Sequence, residues 1–177
     1  MFELIFPFFL LVLLFLLLSI IWRINARKYI SSGTVASAYD SWTQDKLLER
    51  LWGEHIHLGF YPSGKKNIDF RKAKVQFVHE LVKWSGLDKL PKGSRILDVG
   101  CGIGGSSRIL AEYYGFHVTG ITISPAQVKR ARELTPNGLS CNFQVMDALD
   151  LKFEDGSFDA IWSVEAGAHM NLSLIHI

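Results

Sequence analysis

The sequence predicts an α/β fold in which repeated strand–helix units build a parallel sheet, preceded by an N-terminal transmembrane helix. Three observations carry this. Strand-like and helix-like segments alternate from residue 95 onward, a glycine-rich turn "GCGIGG" joins the first strand of that series to its first helix, and residues 4–22 are nineteen consecutive positions without a charge. With 177 residues, a net charge of +2 and 49% hydrophobic residues, the chain can build one medium domain plus an extra, unusually apolar segment.

In chain order, "LIFPFFLLVLLFLLLSIIW" would cover about 28 Å as a helix, close to the hydrocarbon thickness of a bilayer. A cleaved signal peptide has a shorter apolar region behind a basic start. Here only Glu3 precedes the run, and Arg23, Arg27 and Lys28 follow it, which puts the rest of the chain on the cytoplasmic or stromal side. Residues 1–22 thus read as a single-pass membrane anchor. Residues 23–44, with Ser and Gly at their centre, read as a juxtamembrane linker, and the domain begins near residue 45 with a short helical segment and runs to 170.

"RKAKVQFVHELVKWSGL" carries Val75, Val78, Leu81 and Val82 at helical spacing and stops at Gly86, an amphipathic helix suited to packing on a sheet. "RILDV" is a strand, "SSRILAEYYG" a helix closed by Gly115, and "HVTGITI" a second strand. In "SPAQVKRARELT", Ser124 stands as N-cap and Pro125 at the first helical position. "CNFQVMD" and, after the turn "FEDGSFD", "AIWSVEA" supply two more strands. Apolar strands alternating with helices imply a parallel sheet covered on both faces.

Cys101 and Cys141 offer neither a disulfide framework nor zinc-ligand spacing, so no metal is expected, and the dispersed mild basicity excludes a nucleic-acid surface. The H-x-H pair His55 and His57 has no third ligand cluster beside it.

Gly100, Gly102 and Gly105 satisfy the G-x-G-x-x-G pattern between a strand and a helix, with Gly104 inside it. In a dinucleotide site such a turn receives a pyrophosphate. Asp98, two residues before the first glycine, would repel it by a kcal/mol or more, on the order expected at intermediate dielectric. The same acid attracts a ligand that bears an ammonium and lacks phosphate, as S-adenosylmethionine does. Capping of the turn by Asp98 is the structural alternative.

"ILDVGCGIGGSS" resembles the first motif of the S-adenosylmethionine-dependent class I methyltransferases. The segments "YDSWTQDKLLERLWGEHIHLGFY", "VTGITISPAQVKRA" and "DGSFDAIWSVEAGAHM" resemble, more narrowly, the enzymes that C-methylate prenylated hydroquinones in tocopherol and plastoquinone synthesis, with the gamma-tocopherol methyltransferases as near relatives. The resemblance covers about residues 39–170. It implies a Rossmann-like class I methyltransferase sheet, S-adenosylmethionine as cofactor, a prenylated hydroquinol substrate, a membrane lipid environment, and a plastid or cyanobacterial membrane location.

The resemblance also implies roles. The second strand of such enzymes commonly ends in an acid for the ribose hydroxyls, and this chain has Thr122, Ile123 and Ser124 there instead. Thr122 and Gln127, matching a "GITIS..Q"-like segment of sterol and cyclopropane-forming relatives, are the ribose candidates. Asp147, with Ala148 beside it, corresponds to the residue that accepts from the adenine amino group, and capping of the following turn is its alternative. Glu165 and His169 follow the fourth strand beside the sulfonium position, where either could take the phenolic proton of the substrate; Glu165 capping a helix and His169 serving structure is the other reading. Trp52, His55, His57 and Tyr61, with Phe60, form an aromatic lid over the substrate or a packed core.

After Met170, "NLSLIHI" departs from the family and reads as the tail of a truncated frame, residues 171–177. The sheet is then incomplete, and an uncovered last strand predicts poor solubility. Other readings are a sterol, lipid or gamma-tocopherol methyltransferase, a nicotinamide-dependent dehydrogenase using the same glycine turn, and a non-catalytic membrane-anchored binding module.

Overall fold

The computed structural model describes residues 11–19, 32–63, 67–167 and 170, and it divides into two units, 1–31 and 32–177. In the first unit the described residues are one helix, α1, over residues 11–19. Among the described residues no helix is long and apolar enough to cross a membrane. This corrects the expected N-terminal transmembrane helix and, with it, the single-pass assignment. A crossing of the hydrocarbon core, roughly 30 Å thick, takes about 20 helical residues. The rest of the expected span, 4–10 and 20–22, lies outside the described residues, as do Arg23, Arg27 and Lys28.

The second unit runs α2 (Ser32–Gln44), α3 (Leu47–Trp52), α4 (Phe70–Ser85), a 3-10 turn (Leu87–Lys89), β1 (Arg95–Val99), α5 (Gly105–Tyr114), β2 (His117–Thr122), α6 (Pro125–Leu134), β3 (Cys141–Val145) and β4 (Ala160–Trp162). The strands form one sheet in the order β3-β2-β1-β4, parallel throughout. Residues 32–44, expected as part of a linker, are helical and pack on α6.

Local chemistry sets the ends of the helices. The Asp69 carboxylate accepts from the Arg71 and Lys72 amides, each at 3.0 Å, and starts α4. Gly86, at φ +74°, ends it by donating to the Val82 and Lys83 carbonyls. The Ser124 hydroxyl accepts from the Gln127 amide at 3.1 Å, with Pro125 behind it in the first turn of α6.

The crossovers β1-α5-β2 and β2-α6-β3 step the same way across the sheet, so right-handed connections place α5 and α6 on one face. α4 joins that layer. Val78 and Val82 of α4, Ile109 and Leu110 of α5, and Ile96, Val118 and Trp162 of the strands form one buried cluster. A second cluster gathers Cys101, Val128, Ala131 and Phe143. The sheet was expected to be covered on both faces, but the described crossover helices cover one. On β4, which is an edge strand, Ile161 is 68% exposed.

This layering brings the carboxyl ends of β1, β2 and β3 to one rim, where ligands of open α/β sheets bind. Replacing Asp69 with Ala is expected to lower unfolding stability by about 1 kcal/mol, since two amides of α4 lose their acceptor. Urea unfolding of both proteins measures it, and an unchanged midpoint would show that water replaces the cap without cost.

Candidate cofactor and active site

β1 ends in the glycine turn. The Gly100 and Cys101 amides both donate to the Ile121 carbonyl of β2, at 2.9 and 3.0 Å, and the Gly104 amide closes the turn on the Cys101 carbonyl at 2.9 Å. Its glycines differ in their surroundings. Gly104 sits at φ +80°, and a Cβ there would stand 2.6 Å from the Phe143 ring. Gly102, at φ +55°, faces open space, since a Cβ there would approach only the Gln127 amide nitrogen, at 4.0 Å. Backbone is therefore accessible at Gly102 and packed at Gly104. Gly100 adopts φ +75° against Ala166, and Gly105 lies under the Glu54 carbonyl and the His55 ring.

Asp98 lies beneath this turn, 3% exposed, on the face of the sheet that meets α5. The Ser107 hydroxyl of α5 donates to its Oδ2 at 2.6 Å. Burial pushes the carboxyl up to about 6, with the Ser107 hydrogen bond opposing the rise. At neutral pH the protein therefore holds a buried carboxylate answered by one hydroxyl, an arrangement that favours a cationic ligand group nearby and disfavours phosphate.

Thr122 and Gln127 are both buried, and the Thr122 hydroxyl donates to Gln127 Oε1 at 2.7 Å while accepting from the Ser124 amide at 3.3 Å. The structure thus brings the two ribose candidates together and aims the Gln127 amide nitrogen at Gly102. The Met146 amide bonds the Thr122 carbonyl at 3.0 Å, so Asp147 follows on the same rim. Its Oδ1 accepts from the Leu149 amide at 2.9 Å, the turn-capping bond, and Asp147 and Ala148 are both half-buried.

The segment 52–61 lies against the turn and against the end of β4. Lys74, buried in α4, donates to the His55 and Trp52 carbonyls at 2.7 and 3.3 Å and lies over the Trp52 and Phe70 rings. Arg108, also buried, reaches the Ile103 carbonyl of the glycine turn at 2.8 Å and pairs with Glu54 at 2.5 Å. His57 Nδ1 lies 2.7 Å from the Leu58 carbonyl and therefore donates to it. In the neutral ring its Nε2 then accepts from His55 Nδ1, at 3.1 Å. Burial first, then the neighbouring His57, Arg108 and Lys74, lower His55 to about 3; burial also lowers His57, against the Leu58 hydrogen bond and Glu165. Both rings are therefore neutral.

The Leu58 amide donates to Glu165 Oε1 at 3.0 Å, across 107 residues of sequence. Glu165 is exposed and sits at φ +55°, a left-handed conformation that a non-glycine residue keeps only where the surroundings impose it. His169 lies outside the described residues. Trp52 and Tyr61 are 46% and 55% exposed, so neither is packed into a core. Among the described residues no three potential ligands are grouped to hold a metal ion.

Sequence reasoning did not find Lys74, Arg108 or Ser107. Lys74 was visible in principle, because it stands four residues before Val78 and eight before Val82 on the buried stripe, where a charge needs partners. Ser107 and Arg108 reach their partners only through the fold.

A family described as "Methyltransferase domain" matches residues 96–175. The chain is 60% identical over 150 residues to the 2-methyl-6-phytyl-1,4-hydroquinone methyltransferase of Synechocystis sp., covering 85% of this chain and 47% of that protein. It is 43% identical over 143 residues to a probable chloroplastic tocopherol O-methyltransferase of Oryza sativa, covering 77% of this chain and 39% of that one. The solved magnesium protoporphyrin IX methyltransferase of Synechocystis PCC 6803 with bound SAM superposes with a TM-score of 0.57 at 26% identity, over 78% of this chain and 64% of that chain. This chain spans less than half the length of the two sequence relatives.

The parallel sheet and the acid-bearing glycine turn define a Rossmann-like methyltransferase domain. Residues 96–175 match that methyltransferase domain, and the chain is similar to the prenyl-hydroquinone and tocopherol methyltransferases of cyanobacteria and chloroplasts.

Gly104→Ala is expected to destabilise the domain by about 1–3 kcal/mol by driving a methyl into the Phe143 ring, read by thermal unfolding; an unshifted transition would mean that Phe143 relocates freely. Asp98 has its folded value raised above the unfolded 3.8, so its stabilising contribution is full below 3.8 and is lost as pH rises through about 6. Relative to Asp98→Asn, whose amide does not titrate, the wild type should lose stability between about pH 4 and pH 7. Parallel urea-unfolding profiles would show that Asp98 keeps an ordinary carboxyl value in the folded chain.

Proposed function

We propose that this chain takes part in S-adenosylmethionine-dependent C-methylation of a prenylated hydroquinol of the 2-methyl-6-phytyl-benzoquinol type, in a cyanobacterial or plastid setting. The observation that carries the cofactor reading is the buried Asp98–Ser107 pair beneath a glycine turn with accessible backbone at Gly102. The chemistry of the residues fits the group: in this reading Asp98 would attract its ammonium, Thr122 and Gln127 would line the ribose, and Asp147 would accept from the adenine amino group. When bound, the cofactor supplies an electrophilic methyl on a sulfonium.

Transfer to ring carbon needs an electron-rich ring, and removal of a phenolic proton with a pKa near 10, if it resembles tyrosine, provides it. Glu165 has Oε1 held by the Leu58 amide, which leaves Oε2 to accept that proton directly or through one water. His169 is the second candidate for this role. The H-bonded His55–His57 pair and the exposed Trp52 and Tyr61 support contact with the apolar substrate and exclusion of water around the ring. A phytyl tail partitions into lipid, so a membrane lipid surface belongs to the same reading.

The substrate reading is supported by the 60% identity to the phytyl-hydroquinone enzyme, against 43% to the tocopherol enzyme. Incubation with methyl-labelled S-adenosylmethionine and either 2-methyl-6-phytyl-hydroquinol or gamma-tocopherol tests it, label being expected on a ring carbon of the first. Label on gamma-tocopherol alone would reverse the assignment, and tight NAD binding without S-adenosylmethionine binding would reject the class. Glu165→Gln is expected to lower turnover by about 100-fold or more, within the range for a general base, with unchanged cofactor affinity by titration calorimetry. Full turnover would move the base elsewhere.

A further inference from the structure

The ribose end of the cofactor site has a donor–acceptor imbalance. A ribose diol presents two O–H donors, which a carboxylate accepts together, and Rossmann-type sheets usually provide that acid at the end of the second strand. β2 ends in Thr122 without an acid following. Thr122 already gives its proton to Gln127 and takes one from the Ser124 amide, and the free side of Gln127 is its donor nitrogen. Neither residue offers a strong acceptor for two hydroxyls.

A carboxylate arrives from outside the sheet. Asp40, near the end of α2, reaches the loop after β2, where its Oδ1 accepts from the Ser124 hydroxyl at 2.5 Å and from the Ala126 amide at 3.0 Å. Both bonds fall on one oxygen. Asp40 is half-buried, and among the described residues Oδ2 carries no bond. A cap of the α6 N-terminus needs only the first oxygen. The second is left on the carboxylate that bonds Ser124, whose hydroxyl belongs to the cluster Ser124–Gln127–Thr122, and the Gln127 amide nitrogen of that cluster lies 4.0 Å from where a Gly102 Cβ would stand.

We propose that Asp40 supplies the carboxylate that receives the ribose hydroxyls of the adenosyl cofactor, so that helix α2 forms one wall of the cofactor site. This rests on the S-adenosylmethionine reading above. It makes docking of α2 on α6 part of cofactor recognition, and it gives the chain an acid at the end of β2 although the strand itself carries none.

Asp40→Asn separates the two roles of the side chain. Its amide oxygen can still accept from Ser124 and Ala126, while its NH2 cannot accept from a hydroxyl. Titration calorimetry on the full chain uses S-adenosylhomocysteine and its 2′,3′-dideoxy analogue, with thermal unfolding of each protein alongside. The wild type is expected to bind the diol about 10-fold tighter than the dideoxy ligand, and Asp40→Asn to bind both at the weaker level. The variant should melt within about 2 °C of wild type.

Wild-type affinity of the variant for S-adenosylhomocysteine would overturn the proposal, and so would an equal loss for both ligands, which marks a structural cap only. A wild type that binds neither ligand would overturn the cofactor reading itself.

Discussion

A carboxylate held out of water with one hydroxyl for company is the constraint around which this domain is organised. Asp98 is on the central strand, its Oδ2 fixed by Ser107, and burial has already pushed its proton affinity up. Two opposite charges a few ångströms apart interact by about 4 kcal/mol at an intermediate effective dielectric, far more than in bulk water. A cationic amino acid end placed near that carboxylate recovers part of the desolvation cost, whereas a pyrophosphate adds to it. The glycine turn above it lets a ligand approach backbone at Gly102 while Gly104 packs the turn against Phe143.

The second organising feature is the way the N-terminal segment is held to the α/β unit by cations. Lys74 gathers the carbonyls of Trp52 and His55, Arg108 joins Glu54 to the glycine turn at Ile103, and Arg130 of α6 pairs with Glu49 of α3 at 2.6 Å. Each of these cations is at least largely withdrawn from solvent, so removing a partner would leave a buried charge without compensation. Within residues 54–58 the two neutral histidines bond one another, His57 also bonds the Leu58 carbonyl, and the Leu58 amide holds the Glu165 carboxylate from the far end of the sequence. Binding and proton-transfer candidates thus share one support.

Most of the second unit was legible because its signals are local. The period of apolar residues, Ser124 before Pro125, and the stops at Gly86 and Gly115 each act within one helical turn, and α4, α5 and α6 form where those signals put them. The glycine turn was equally readable, since left-handed backbone at Gly100, Gly102 and Gly104 is a property of the residue itself. The transmembrane expectation rested on the apolarity of residues 4–22, and among the described residues no helix is long and apolar enough to cross a membrane; residues 32–44, expected as linker, are a helix that packs on α6, with Asp40 bonded to Ser124 84 positions further on.

By itself the amino-acid sequence determined the strand–helix alternation, the turn, and an acid placed where phosphate is unwelcome, because these depend on neighbours a few positions apart. Only the tertiary structure decided what that acid touches, that Thr122 spends its hydroxyl on Gln127, that Lys74 is buried on carbonyls, and that Glu165 meets Leu58. Those contacts join residues separated by up to 107 positions. Their partners are selected by sheet order and helix packing, which no local pattern encodes.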